Sequence, residues 1–98
     1  MFTVKRTAAF DAWLAGLKDG LTRIRLAKRL DKVQRGLLGD VEPVGEGVSE
    51  MREFFGPGWR MYFIERKDTI IVMLGGGDKS SQAADIAAAI ALSKTIEE

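Results

Sequence analysis

The sequence predicts a single α+β domain, and three observations predict it. Two segments with helical spacing stand near the amino terminus, three runs rich in β-forming residues occupy the middle, and an alanine-rich segment follows. Ninety-eight residues suffice for one core, and 46% hydrophobic with 30% charged residues marks a globular chain rather than a disordered one.

Phe2 to Thr7 carries β-branched and aromatic residues over a length suited to one strand. Phe10, Trp13, Leu14 and Leu17 then recur at i, i+3, i+4 and i+7, which predicts a helix with one buried stripe. Asp19-Gly20 interrupts it. A second helix follows, with Leu21, Ile24, Ala27, Leu30 and Val33 as its expected apolar stripe, and Gly36 and Gly39 end it. Val41 to Val44 leads through Gly45 and Gly47 into the runs Val48–Phe55, Trp59–Arg66 and Thr69–Leu74, which predict three antiparallel strands in a meander. Gly56-Pro57-Gly58 suits the first connection, since proline presets φ at one turn position and glycine accepts positive φ at the next. Lys67-Asp68 suits a tight second one, and Ser80 to Ile96 predicts a terminal helix.

Composition narrows the chemistry. There is no Cys and no His, which excludes thiolate catalysis, a disulfide framework, imidazole acid–base chemistry and the usual zinc sites. No ligand spacing supports a metal site from carboxylates such as Asp78 and Asp85, and no cofactor is expected. No apolar run approaches the roughly 20 residues of a membrane helix, and Met1 to Arg6 opens without a signal-peptide stretch, so a cytoplasmic protein is expected. The formal charge of +1 conceals an asymmetry: residues 1–35 hold nine Lys/Arg against three Asp/Glu, leaving six against eleven for residues 36–98. Arg25, Lys28, Arg29 and Lys32 of the second helix are therefore candidate RNA-binding residues, through counterion release from phosphates. An ordinary solvated face is the other reading.

Alternation along strands puts Glu50 with Arg52 on one face, and Arg60 with Tyr62 on one face of the next strand, while Trp59, Met61 and Phe63 take the opposite parity and belong in a core. The polar parity is expected to face outward. If the register joins the two, the sheet presents a cationic and aromatic constellation suited to a phosphodiester, the plainer reading being cross-strand ion pairs. Gly75-Gly76-Gly77-Asp78-Lys79-Ser80-Ser81 lies between a strand and a helix, where backbone N–H groups can hold an anion or where Asp78 or Ser80 simply caps the helix. It lacks the Gly-Lys-Ser/Thr spacing of a phosphate-binding P-loop.

The segments Gly47-Val48-Ser49-Glu50-Met51-Arg52, Gly56-Pro57-Gly58-Trp59-Arg60-Met61-Tyr62, Leu74-Gly75-Gly76-Gly77-Asp78-Lys79 and Gln82-xx-Asp85-Ile86 together resemble the HigB-like, phage-related branch of the RelE/ParE toxin superfamily. Phe10-xx-Trp13-Leu14-xx-Leu17 and the basic helix extend the resemblance over nearly the whole chain. It implies a twisted antiparallel sheet packed against two amino-terminal helices, with a carboxy-terminal helix, in the toxin half of a type II toxin–antitoxin module. RelE- and HigB-like relatives are ribosome-dependent mRNA endonucleases, and ParE-like relatives poison DNA gyrase without catalysis; an inactive antitoxin-binding scaffold is a third expectation. The implied partners are a cognate antitoxin, commonly a helix-turn-helix protein, together with the ribosome and mRNA.

Within that resemblance Arg60 corresponds to the arginine that contacts the scissile phosphate, Arg52 to a basic residue on the preceding strand, and Lys79 to a second basic position after the last strand. Asp85 stands where the best-known RelE relatives carry a catalytic tyrosine, which leaves the general acid and base unassigned. Metal-independent cleavage requires deprotonation of the 2′-hydroxyl, charge stabilisation at phosphorus and protonation of the leaving oxygen. Guanidinium groups suit the second task. Glu50, Asp78, Lys79 and Tyr62 are the candidates for proton transfer.

Overall fold

The computed structural model describes residues 1–97. The chain runs β1 (Thr3–Arg6), α1 (Ala8–Ala15), α2 (Gly20–Gln34), β2 (Val41–Gly45), β3 (Val48–Arg52), β4 (Arg60–Arg66), β5 (Ile70–Gly77), a short 3-10 turn (Lys79–Ser81) and α3 (Gln82–Ser93). The helix boundaries have local causes. Thr7 caps α1 by accepting from the Phe10 amide at 3.2 Å, while its hydroxyl donates to the Met73 carbonyl at 2.8 Å and so ties the helix to the sheet. Asp19 caps α2 by accepting from the Leu21 amide at 3.2 Å.

The five strands form one sheet in the order β1-β5-β4-β3-β2. β2 to β5 form an antiparallel meander, and β1 lies parallel to β5 with Thr3 opposite Ile70 and Arg6 opposite Met73. The sheet is therefore mixed, where an all-antiparallel one was expected, because the first strand is returned to the β5 edge by way of two helices rather than a hairpin. Val41–Gly45 adds a strand beyond the expected three, and β5 continues through the three glycines that were read as a connection.

Both faces of the sheet are covered. α1 and α2 pack Phe10, Leu14, Leu26, Leu30 and Val33 against Met51, Met61, Phe63, Ile71 and Met73. On the other face α3 brings Ala89, Ile86 and Ile90 onto Val48, Tyr62, Ile64, Val72 and Leu74. Each large apolar side chain sealed in this way contributes roughly 1.5–3 kcal/mol. The glycines of β5 let helices approach closely: a Cβ at Gly76 would stand 2.5 Å from the Trp13 ring, and one at Gly77 would fall on the Asp85 carboxylate.

Two expectations about facing are corrected. The buried residues of α2 are Thr22, Leu26, Leu30 and Val33, whereas Leu21 and Ile24 are exposed. On the flanks of the buried stripe Arg23 and Arg29 donate to backbone carbonyls, of Leu17 and of Leu38 and Asp40 respectively. The polar parity of β3 and β4 does not face solvent either, since α3 lies over it and buries Glu50, Arg60 and Tyr62.

Candidate phosphate site and basic groove

The β3–β4 register sets Glu50 opposite Tyr62 and Arg52 opposite Arg60, so the constellation expected from strand parity does assemble. The register of β4 with β5 extends each row, placing Gly75 beside Tyr62 and Gly77 beside Arg60. Glycine at position 77 leaves room for the Asp85 carboxylate of α3 and the Ser81 hydroxyl. Gln82 Nε2 donates to Glu50 Oε1 at 2.9 Å, and Arg60 Nε lies 3.7 Å from Glu50 Oε2, with both side chains almost wholly buried. Arg60 Nη1 donates to the carbonyls of Glu53 and Trp59, but its Nε and the Tyr62 hydroxyl have no hydrogen-bond partner.

Burial pushes the Tyr62 phenol up to about 12, with the negative charges of Glu50 and Asp85 adding to the effect and Arg60 opposing it. A phenol held neutral in this way supports folding below pH about 10, and the contribution is lost as pH rises through about 12. Tyr62 is the one tyrosine of the chain, so phenolate absorbance near 295 nm reports it alone. Alkaline titration is expected to show ionisation near 12, accompanying loss of the fold. A midpoint near 10 with the fold intact would contradict the buried placement.

Arg52 sits at the more open end of the same face. Asp40 grips it with two hydrogen bonds, from Nε at 3.1 Å and Nη2 at 2.9 Å, and Glu42 lies 3.7 Å away. Those bonds and the guanidinium charge hold the Asp40 carboxyl below its usual range. Lys79 is exposed, and its stem lies across the Gly56-Pro57-Gly58 turn, where a Cβ at Gly58 would meet Lys79 Cε at 2.9 Å. Arg52, Arg60 and Lys79 thus converge on one end of the sheet. Asp78 is committed to capping: it accepts from the Ser80 amide and hydroxyl, and these bonds lower its pKa. That makes it a weak base.

The four basic residues of α2 line one cleft of about 370 Å³ together with Leu37, Gly39, Asp40 and Glu53. They are not equivalent. Arg29 is a structural hub, donating to the carbonyls of Leu38, Asp40 and Arg52 and pairing with the Glu53 carboxylate. Arg25 lies over the Phe55 ring at 3.6 Å. Lys28 and Lys32 are exposed and make no ion pair among the described residues. Sequence reasoning missed Asp40, Glu53 and Phe55, because each acts on a cation distant in the chain and no local spacing links them.

No family model matches the chain, and no solved structure matches it. A Haemophilus influenzae protein, named as an uncharacterized protein, is 36% identical over 83 residues, covering 85% of this chain and 84% of that one. The chain belongs to that protein's family. Similarity over this span covers most of the family member's length, so the two share a domain rather than a motif. No helix among the described residues is long and apolar enough to cross a membrane.

Proposed function

We propose that this chain is the toxin of a type II toxin–antitoxin module, a cytoplasmic, ribosome-dependent mRNA endonuclease with a RelE/HigB-like arrangement of its sheet and helices. The observation that carries the reading is the convergence of Arg52, Arg60 and Lys79 at one end of the sheet, next to a groove edged by Lys28 and Lys32. Cleavage of RNA through its 2′-hydroxyl builds negative charge on the phosphorane, and two anchored guanidiniums and an exposed ammonium beside a cationic track match that charge.

The cations have different roles. Arg52 and Lys79, at the surface, meet the phosphate; Arg60, buried beneath them, acts through its charge and by fixing the Glu53–Trp59 end of the hairpin. Asp40 orients the Arg52 guanidinium through Nε and Nη2, and its Nη1 edge is left to donate to a phosphate. Lys79, exposed at the same end, is the proton-transfer candidate that remains accessible, since Asp78 is committed to its cap and Glu50 and Tyr62 are buried under α3. With no imidazole available, the ribosome supplies in-line orientation of the 2′-hydroxyl, an effect worth several kcal/mol. A cognate antitoxin holds the activity in check.

Arg52→Ala is expected to lower mRNA cleavage on translating ribosomes by about 10²–10³-fold, the usual cost of deleting one transition-state donor. Arg52→Lys should recover part of it. Cleavage by Arg52→Ala at the wild-type rate, with the protein folded, would remove Arg52 from the reaction.

A further inference from the structure

The hairpin that ends in the Arg52–Arg60 pair carries one residue that neither the fold nor the phosphate site uses. Glu53 is held by Arg29, and Phe55 lies under Arg25, so both neighbours of Phe54 are pinned to α2. The backbone on either side is also fixed: the Glu53 amide donates to the Trp59 carbonyl at 3.0 Å, and the Gly58 amide to the Phe55 carbonyl at 3.3 Å. Phe54 itself is 78% exposed. An aromatic ring is thus presented to solvent from an anchored loop, between Glu53, which lines the basic groove with Lys28 and Lys32, and Phe55, which stacks on Arg25 of the same groove.

We propose that Phe54 is a stacking platform for an unpaired RNA base, and that the groove along α2 tracks the adjoining phosphates. The choice of occupant follows from charge complementarity. A protein or peptide would be expected to cover Phe54 with apolar side chains, yet the adjoining groove sets Arg25, Lys28, Arg29 and Lys32 against Asp40 and Glu53, a positive excess that suits a polyanion. Single-stranded nucleic acid combines a π-face at every residue with a phosphate at every residue, and sites that bind it pair aromatic platforms with cationic tracks. Arg25 of α2 is already a cation stacked on Phe55, so a base on Phe54 would lie one residue along the chain from a guanidinium that can follow the next phosphate. The proposal rests on the RNA-directed reading of the site and adds the part of the substrate it grips.

Stacking and phosphate contacts respond differently to salt, and this separates them. Binding of a short fluorescein-labelled single-stranded RNA of mixed sequence is measured by anisotropy across a salt series. Phe54→Ala is expected to weaken binding about tenfold at every salt concentration and to leave the salt slope unchanged. Phe54→Trp should bind at least as well as wild type. Lys28→Gln with Lys32→Gln should instead flatten the slope by about one to two. Both positions are on the surface, so folding is retained. Equal binding by wild type and Phe54→Ala would overturn the platform while leaving the RNA groove in place. Absence of RNA binding by wild type would overturn the proposal and assign the face to a protein partner. The endonuclease reading fails separately: F54-dependent RNA binding without any cleavage on ribosomes would keep the platform and refute the enzyme.

Discussion

Replacing Arg29 with alanine is expected to destabilise the protein by roughly 3–5 kcal/mol, the range found when one member of a buried, hydrogen-bonded ion pair is deleted. The side chain is 11% exposed and its partner Glu53 is 18% exposed, so water replaces little of what is lost. The deletion leaves the Glu53 carboxylate without its cation and removes the guanidinium donor from the carbonyls of Leu38, Asp40 and Arg52, of which Asp40 keeps the Arg52 amide. It also removes the side-chain tie between α2 and residues 38 and 40, leaving Asp40 joined to the end of β3 through Arg52. For a domain of this size each kcal/mol moves the midpoint by about 4–8 °C, so thermal unfolding should shift by more than about 12 °C. Arg29→Lys should be intermediate, since one ammonium cannot span the same carbonyls. A shift of a few degrees for Arg29→Ala would mean that the hub is solvated and that Arg29 belongs to the RNA-contacting set after all.

Arg60→Ala should both destabilise the protein and abolish cleavage, and the two effects can be separated. Arg60 and Glu50 are 7% and 5% exposed, and deleting the guanidinium leaves a buried carboxylate with only Gln82 to hydrogen-bond it. The expected cost is again roughly 3–5 kcal/mol. Replacing both members with apolar residues, Arg60→Met with Glu50→Leu, removes the stranded charge and should restore most of the stability, because a buried pair contributes little beyond a well-packed apolar substitute. Cleavage should stay absent in the double variant. Recovery of cleavage together with stability would show that Arg60 serves the fold alone and takes no part in stabilising phosphate charge.

The elements were legible where one local signal decided them. The α1 stripe of Phe10 and Leu14, the Asp19 break, the Gly56-Pro57-Gly58 turn and the meander all follow from spacing and turn chemistry. The placement of β1 was not legible, because a parallel partner beside β5 depends on where two intervening helices return the chain. The glycines of β5 read as a connection, since nothing local shows that Trp13 and Asp85 fill the space their side chains would need. At the candidate site, strand parity correctly grouped Glu50, Arg52, Arg60 and Tyr62. It erred on exposure, because alternation says which residues share a face and not whether a helix further along the chain covers it. On α2, arginine was counted as a surface residue at every position, whereas Arg29 has a guanidinium that satisfies carbonyls and earns an inward place.

The central claim, that the cations gathered on this hairpin act on messenger RNA, is tested most directly by mapping 5′ ends of cellular transcripts shortly after the chain is produced without an antitoxin, with growth recorded in parallel. The account predicts new ends inside translated codons, absent when translation initiation is blocked and absent for the stable Arg60→Met, Glu50→Leu variant. Intact transcripts would contradict it: with growth arrest and cleaved DNA they would direct attention to gyrase, and with normal growth they would leave the chain a binding protein.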